Sequence, residues 1–269
     1  MGKLTMFAAA ALATLASQAT AKERVICTIA HEIGAPEPLL SEGQCNERIS
    51  SASTFKIAIS LMGFDSGILT DPETPEWTFK AGYPDWRPEW KQNTTPQTWL
   101  KYSVVWYSQQ ITHRLGEERF SGYVHAFGYG NEDVSGDPGA NNGLTRAWLS
   151  SSLQISPLEQ VGFLSRMLEG KLPVSDEAIS QTKAIMEHHT LPEGWSTFGK
   201  TGAGLPFGPD GKLLKGQPFG WYVGWAEKGN RRVVFARLVR FDARPEQVPG
   251  AIARDGLLDN LFAPDGPLM

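Results

Sequence analysis

The spacing of apolar residues changes character several times along the chain. Val25-Ile26-Cys27-Thr28-Ile29-Ala30 reads as a strand over about 24–30. A second short strand candidate covers 37–41, after turn chemistry at Gly34-Ala35-Pro36-Glu37-Pro38. The stretch 53–64 is apolar on nearly every side (Phe55, Ile57, Ala58, Ile59, Leu61, Met62, Phe64), which predicts a buried helix. Residues 71–96 lose all periodicity and are rich in Pro and Trp, so they read as loop anchored by Trp77, Trp86 and Trp90. Helical spacing returns at Trp99, Leu100, Val104, Val105, Ile111 and Leu115, opened by Pro96 and ended by Gly116. A short helix follows near 117–127. Ser156-Pro157 opens another, with Leu158, Val161, Phe163, Leu164, Met167 and Leu168 on one face, and a further helix fits 175–188. Strand-like runs then occupy 195–200, 219–226 and 232–240, with a hairpin turn at Gly229-Asn230 and a closing helix over 249–262.

Strands at both ends and helices between them predict an α/β protein of the α+β type. One antiparallel sheet is built from both chain ends and flanked by helices, with an all-helical subdomain inserted at roughly 70–190. The chain has 269 residues, enough for a sizeable core. Its first residues read differently from the rest. Lys3, the apolar run Phe7–Leu15 and Ala19-Thr20-Ala21 have the order of a cleavable secretory signal, so the expected domain is 22–269 after a signal at 1–21. That predicts export to the periplasm without a stable membrane anchor. In an oxidising compartment Cys27 and Cys45, on neighbouring strands, form a plausible disulfide; two separate buried thiols are the alternative. The net charge is −4 and no basic run tracks a phosphate backbone, which argues against nucleic acid as a partner. His31, His113, His125, His188 and His189 form no ligand set, so no metal is expected.

The candidate chemistry begins with an S-x-x-K pattern, which occurs twice. On a helix, Ser53 and Lys56 lie on one face within reach of each other. The hydroxyl is then a candidate nucleophile and the amine a candidate base. An ammonium inside so apolar a helix has its pKa lowered; the alternative is that Lys56 reaches water from the helix start. Ser180 and Lys183 repeat the spacing on a mixed polar face, where a solvated lysine is the ordinary outcome. Lys200-Thr201-Gly202 closes a predicted strand. There a cation and a hydroxyl suit a substrate carboxylate, and the glycine leaves room for substrate along the backbone.

S-x-x-K and K-T-G in this order resemble the active-site signature of serine β-lactamases and penicillin-binding proteins. Ser103-Val104-Val105, Tyr129-Gly130-Asn131, Trp148-Leu149 and Gly220-Trp221-Tyr222-Val223-Gly224-Trp225 narrow the resemblance to the class D, or oxacillinase-type, β-lactamases, over essentially the whole mature chain. The resemblance implies hydrolysis of β-lactam antibiotics through an acyl-enzyme on Ser53. It implies Lys56 carboxylated by CO2 as general base, with no cofactor beyond CO2 or bicarbonate. Ser103 and Lys200 would pass a proton to the lactam nitrogen. Gly202 would leave space for substrate, the N–H groups of Ser53 and Ala203 would form an oxyanion hole, and Thr201 would bind the substrate carboxylate. Tyr129 and Asn131 would form a third edge of the substrate site. Val105, Trp148 and Leu149 would surround the carbamate. Arg254 best fits a second carboxylate ligand, with Arg244 as rival. The expected assembly is a monomer or homodimer. A penicillin sensor that acylates without turnover is the alternative, and a D,D-peptidase a third reading.

Overall fold

The computed structural model describes residues 21–208 and 210–269. All but the last residue of the expected signal, 1–21, lies outside the described residues. Among the described residues no helix is long and apolar enough to cross a membrane.

Chain order gives β1 (Glu23–Glu32), β2 (Leu40–Gly43), β3 (Ile49–Ser50), a 3-10 turn (Ala52–Phe55) and α1 (Lys56–Asp65). Next come α2 (Pro96–Tyr102), α3 (Val105–Ala126), α4 (Gly143–Arg146), β4 (Gln154–Ile155), α5 (Pro157–Leu168) and α6 (Asp176–Ala184). The chain closes with β5 (Glu187–Thr190), β6 (Ser196–Gly204), β7 (Phe219–Lys228), β8 (Arg231–Phe241) and α7 (Pro249–Phe262). The main sheet is antiparallel in the order β2-β1-β8-β7-β6-β5, and β3 pairs with β4 in a separate small ladder.

Residue period explains how the sheet divides two cores. On β8, Val234, Ala236 and Leu238 join the cluster formed with α1, α3 and α5. The alternate residues Val233, Phe235, Val239 and Phe241 join the cluster formed with Ala253, Leu257 and Leu261 of α7. Successive side chains of a strand point to opposite faces, and both faces here are covered. β7 and β8 therefore read as almost unbroken apolar runs. A disulfide joins Cys27 of β1 to Cys45, just past the end of β2.

Four local expectations need correction. Ser53 lies in the 3-10 turn, and the α-helix begins at Lys56. The long helix expected from Pro96 is two helices, because Ser103 takes a left-handed conformation (φ 56°, ψ 41°) and Val104 is extended. Gly116 then interrupts α3 with φ 76° and ψ 167°, where only glycine is unstrained. The helix predicted over 175–188 stops at Ala184, and His188 and His189 belong to β5. Lys200-Thr201-Gly202 lies inside β6, which continues to Gly204.

Candidate active site

The site lies where the 3-10 turn, the α2–α3 junction, β6 and the start of α7 meet. They enclose a cleft of about 300 Å³ lined by Ser53, Ser103, Val105, Leu149, Thr201 and Arg254, among others. Each element arrives by an identifiable cause. β3 leads into the turn through Ala52, which has φ 49°. The indole Nε1 of Trp221 on β7 donates to Ser50 O at 3.0 Å, tying β3 to the main sheet. Gln160 of α5 donates to Thr54 Oγ1 at 2.8 Å, and Thr54 Oγ1 donates to Ser51 O at 2.6 Å, so the turn carrying Ser53 is braced from below.

Lys56 is wholly buried, and its Nζ donates to Ser53 Oγ at 3.1 Å. Burial holds its pKa well below the usual lysine value, and the cations Lys200 and Arg87 push the same way. Such a shift favours the neutral amine, the form able to take a proton or react with an electrophile. Among the described residues, the buried Nε1 of Trp148 makes no hydrogen bond. A buried indole N–H without an acceptor is costly, so this donor marks a place for an acceptor oxygen. Ser50 Oγ holds the segment that carries it, donating to Trp148 O at 2.8 Å and accepting from Ser150 N at 2.9 Å.

The left-handed turn at Ser103 aims its hydroxyl into the cleft. Its Oγ is buried and unbonded, so it does not back-bond to its own helix as a mid-helix serine commonly does. A non-glycine residue in this conformation is strained and is held by its surroundings. Thr95 and Thr98 cap the start of α2, and the Trp99 indole donates to Ser108 Oγ of α3 at 2.9 Å across the break.

Lys200 is almost fully buried, and its Nζ donates to Thr201 O at 2.9 Å. Burial pushes its pKa down to about 8; Glu187 opposes the shift and Arg87 adds to it. β5 pairs with β6 only as far as Gly199, so β5 leaves the strand edge from Lys200 onward free. Gly202 is required by close approach. A methyl group there would sit 3.1 Å from Thr54 Cγ2 and 3.3 Å from Ser53 N. Gly250 at the head of α7 packs on the same strand, where a methyl would meet Thr201 Cβ at 3.0 Å.

The two candidate arginines separate. Arg254 lines the cleft with Ser53 and Thr201, its guanidinium held at 2.9 Å by Asp255. Arg244 lines an adjoining cavity instead. Tyr129 and Asn131 do not face the cleft. Tyr129 is wholly buried behind Phe55, with ring centroids 5.0 Å apart. Asn131 donates to Ser152 O at 2.9 Å and accepts from Gln154 N at 2.9 Å, which fixes the backbone before α5. Neither residue lines the cleft that holds Ser53. Arg87 and Val248 also line the cleft without any sign in the sequence pattern, since both lie outside periodic segments; Trp86, expected as a loop anchor, lines it too and is exposed. Among the described residues, no cluster of three or more His, Cys, Asp or Glu could hold a metal ion.

Comparison with known proteins agrees with this geometry. Residues 11–257 match the penicillin-binding protein transpeptidase domain family. The chain is 45% identical over 240 residues to β-lactamase OXA-9 of Klebsiella pneumoniae, covering 89% of this chain and 88% of that protein. Its fold is similar to the crystal structure of the class D β-lactamase OXA-427, with TM-score 0.83 and 46% identity over 87% of this chain and 96% of that one. It is also similar, with TM-score 0.75 and 26% identity, to the C-terminal domain of the Bacillus licheniformis BlaR penicillin receptor, over 87% of this chain and 88% of that one. An S-x-x-K turn against a K-T-G strand, a sheet built from both chain ends and this degree of identity agree on one assignment: the chain belongs to the class D serine β-lactamase family.

Proposed function

We propose that the protein hydrolyses β-lactam antibiotics through an acyl-enzyme on Ser53, with Lys56 carboxylated by CO2, and thereby confers resistance. One observation carries the reading: Lys56 is wholly buried 3.1 Å from Ser53 Oγ, and among the described residues it has no acidic partner and the buried Trp148 indole N–H has no acceptor. The lowered pKa favours the unprotonated amine, the form that reacts with CO2. The carboxylated side chain supplies the general base for acylation and deacylation. Trp148 Nε1 would hold it, with Val105 and Leu149 limiting water.

The remaining steps fall to side chains of the cleft. Ser53 Oγ attacks the lactam carbonyl, and the N–H groups of Ser53 and Ala203 receive the negative charge on oxygen. Lys200, half-protonated near pH 8, and Ser103 relay a proton to the departing nitrogen. Thr201 and Arg254 bind the substrate carboxylate. Export to the periplasm, as a monomer or homodimer, fits both the N-terminal sequence and the disulfide.

Steady-state hydrolysis of penicillins with and without bicarbonate tests the reading, together with 13C NMR of protein equilibrated with labelled bicarbonate. Turnover that rises with bicarbonate and a carbamate resonance absent from Lys56→Ala are expected. Failure to hydrolyse any penicillin, even with bicarbonate, overturns the proposal. Similarity to the BlaR domain supports a second reading as a penicillin sensor. A penicillin adduct on Ser53 that lasts for hours would favour it.

A further inference from the structure

Beyond the lobe that holds Ser53, the cleft continues into a second cavity of about 430 Å³. Arg87, Ala203 and Val248 line both. β6 gives the direction of travel. Thr201, Gly202 and Ala203 lie in the first lobe, and Gly204 and Leu205 carry the wall onward into the second. A substrate extended along this edge from Ser53 therefore reaches the second lobe with its far end.

That lobe is electropositive in a chain whose net charge is −4. Arg87, Lys215 and Arg244 line it, each from a different loop. Glu246 is the one acidic residue in the lining. Among the described residues none of the three cations belongs to an ion pair, whereas Arg48, Arg146, Arg231, Arg240 and Arg254 all have acidic partners. Convergent like charges in a cavity repel one another and favour an anion between them. Arg87 acts inward as well, since its charge is felt at both Lys56 and Lys200. The carboxylate common to β-lactams is already matched in the first lobe by Thr201 and Arg254. An anion in the second lobe must be a second one.

We infer that the second lobe selects β-lactams whose acyl side chain carries its own negative charge, a carboxylate in the first instance. The inference rests on the Ser53 reading above. Lys215 and Arg244 are specificity residues for that side chain, and Glu246 opposes them.

The test uses a matched pair, benzylpenicillin and carbenicillin, which differ by one side-chain carboxylate. The ratio of kcat/KM for carbenicillin over benzylpenicillin is measured in the wild type, Lys215→Gln, Arg244→Gln and Glu246→Gln. Each lost cation lowers the ratio by about threefold, the size of an exposed charge pair. Glu246→Gln raises the ratio, and added salt erodes the preference. A ratio that does not move in the lysine and arginine variants, or that is insensitive to salt, overturns the inference. If neither penicillin is hydrolysed, the Ser53 reading fails, and calorimetric binding of both to Ser53→Ala decides the cavity alone. Tighter carbenicillin binding supports it, and equal affinities refute it.

Discussion

The two S-x-x-K copies sit on neighbouring elements and meet opposite fates. α1 and α6 pack together, and a buried hydrogen bond of 2.9 Å between Ser60 and Thr182 joins them. Lys56 is sealed inside; among the described residues its one side-chain hydrogen bond goes to Ser53, and the charges that act on it are the cations Lys200 and Arg87. Lys183 is part exposed, with Nζ 3.0 Å from Glu227 Oε1 and 6.0 Å from the Trp225 ring. Ser180 beside it is exposed. Identical spacing thus yields a buried amine with a lowered pKa in one place and an ordinary salt bridge in the other. What differs is water and counter-charge, neither of which the motif encodes.

The sharpest way to break this contrast is to remove each lysine. Lys56→Ala lowers kcat/KM by about a thousandfold, the range of a lost general base, whereas Lys183→Ala keeps activity. A chromogenic cephalosporin reads both. Comparable loss in the two variants would mean that burial does not distinguish the copies. The next experiment gives Lys56 the acidic neighbour that Lys183 has. Val105→Asp places a carboxylate in the cleft wall, favours the ammonium and cuts activity by about a hundredfold. Trp148→Phe keeps an aromatic ring but removes the unbonded donor. Activity falls about tenfold, as for loss of a hydrogen bond to a charged group, and excess bicarbonate recovers part of it.

A pH experiment follows from Lys200. Its folded pKa of about 8 lies below the ordinary lysine value of about 10.4, so between these values the unfolded chain binds more protons. The burial penalty is complete below pH 8 and fades as pH rises. Stability of the wild type relative to Lys200→Met therefore increases by about 2 kcal/mol between pH 7.5 and 9.5. Urea denaturation at the two pH values measures it, and a flat difference would refute the shift. The smallest effect concerns the helix contact itself. Ser60→Ala strands the Thr182 hydroxyl and costs about 1 kcal/mol by the same method.

How much could be read in advance depended on whether a residue's role leaves a periodic trace. β7 and β8 were legible because both faces are apolar, and α5 because Ser156, Pro157 and Glu159 mark its start. The break at Ser103 was not, since one left-handed residue leaves Trp99, Leu100, Val104 and Val105 in nearly helical register. β5 is a polar edge strand of four residues, Glu187–Thr190, and its histidines continue the pattern of α6. Ser53 and Lys56 were legible as a pair, but the burial of Lys56 depends on α3 and α6 packing on α1 and on β6 packing on the 3-10 turn, all far away in sequence. The resemblance puts Tyr129 at a substrate edge, whereas its complete burial depends on Phe55 and Phe163, which no local pattern announces. Arg87 and Arg244 lie in loops, where no spacing rule operates.

The pairing of β1 with β8 also governs how the molecule is made. Glu23 lies opposite Phe241, and Glu32 opposite Val233. A chain synthesised from its N-terminus has finished the first of these strands long before the second exists. Until then β1 has only β2 beside it, and an isolated two-stranded ribbon is marginal in water. Closing a loop of this length is an entropic cost that must be met before the pairing repays it. The helices can form early from local signals, but the K-T-G strand reaches its neighbours only when the last hairpin arrives. Assembly of the catalytic cleft is therefore a late event in folding. A chain that stops short of β8 leaves β1 as an open edge, able to pair with other unfinished chains.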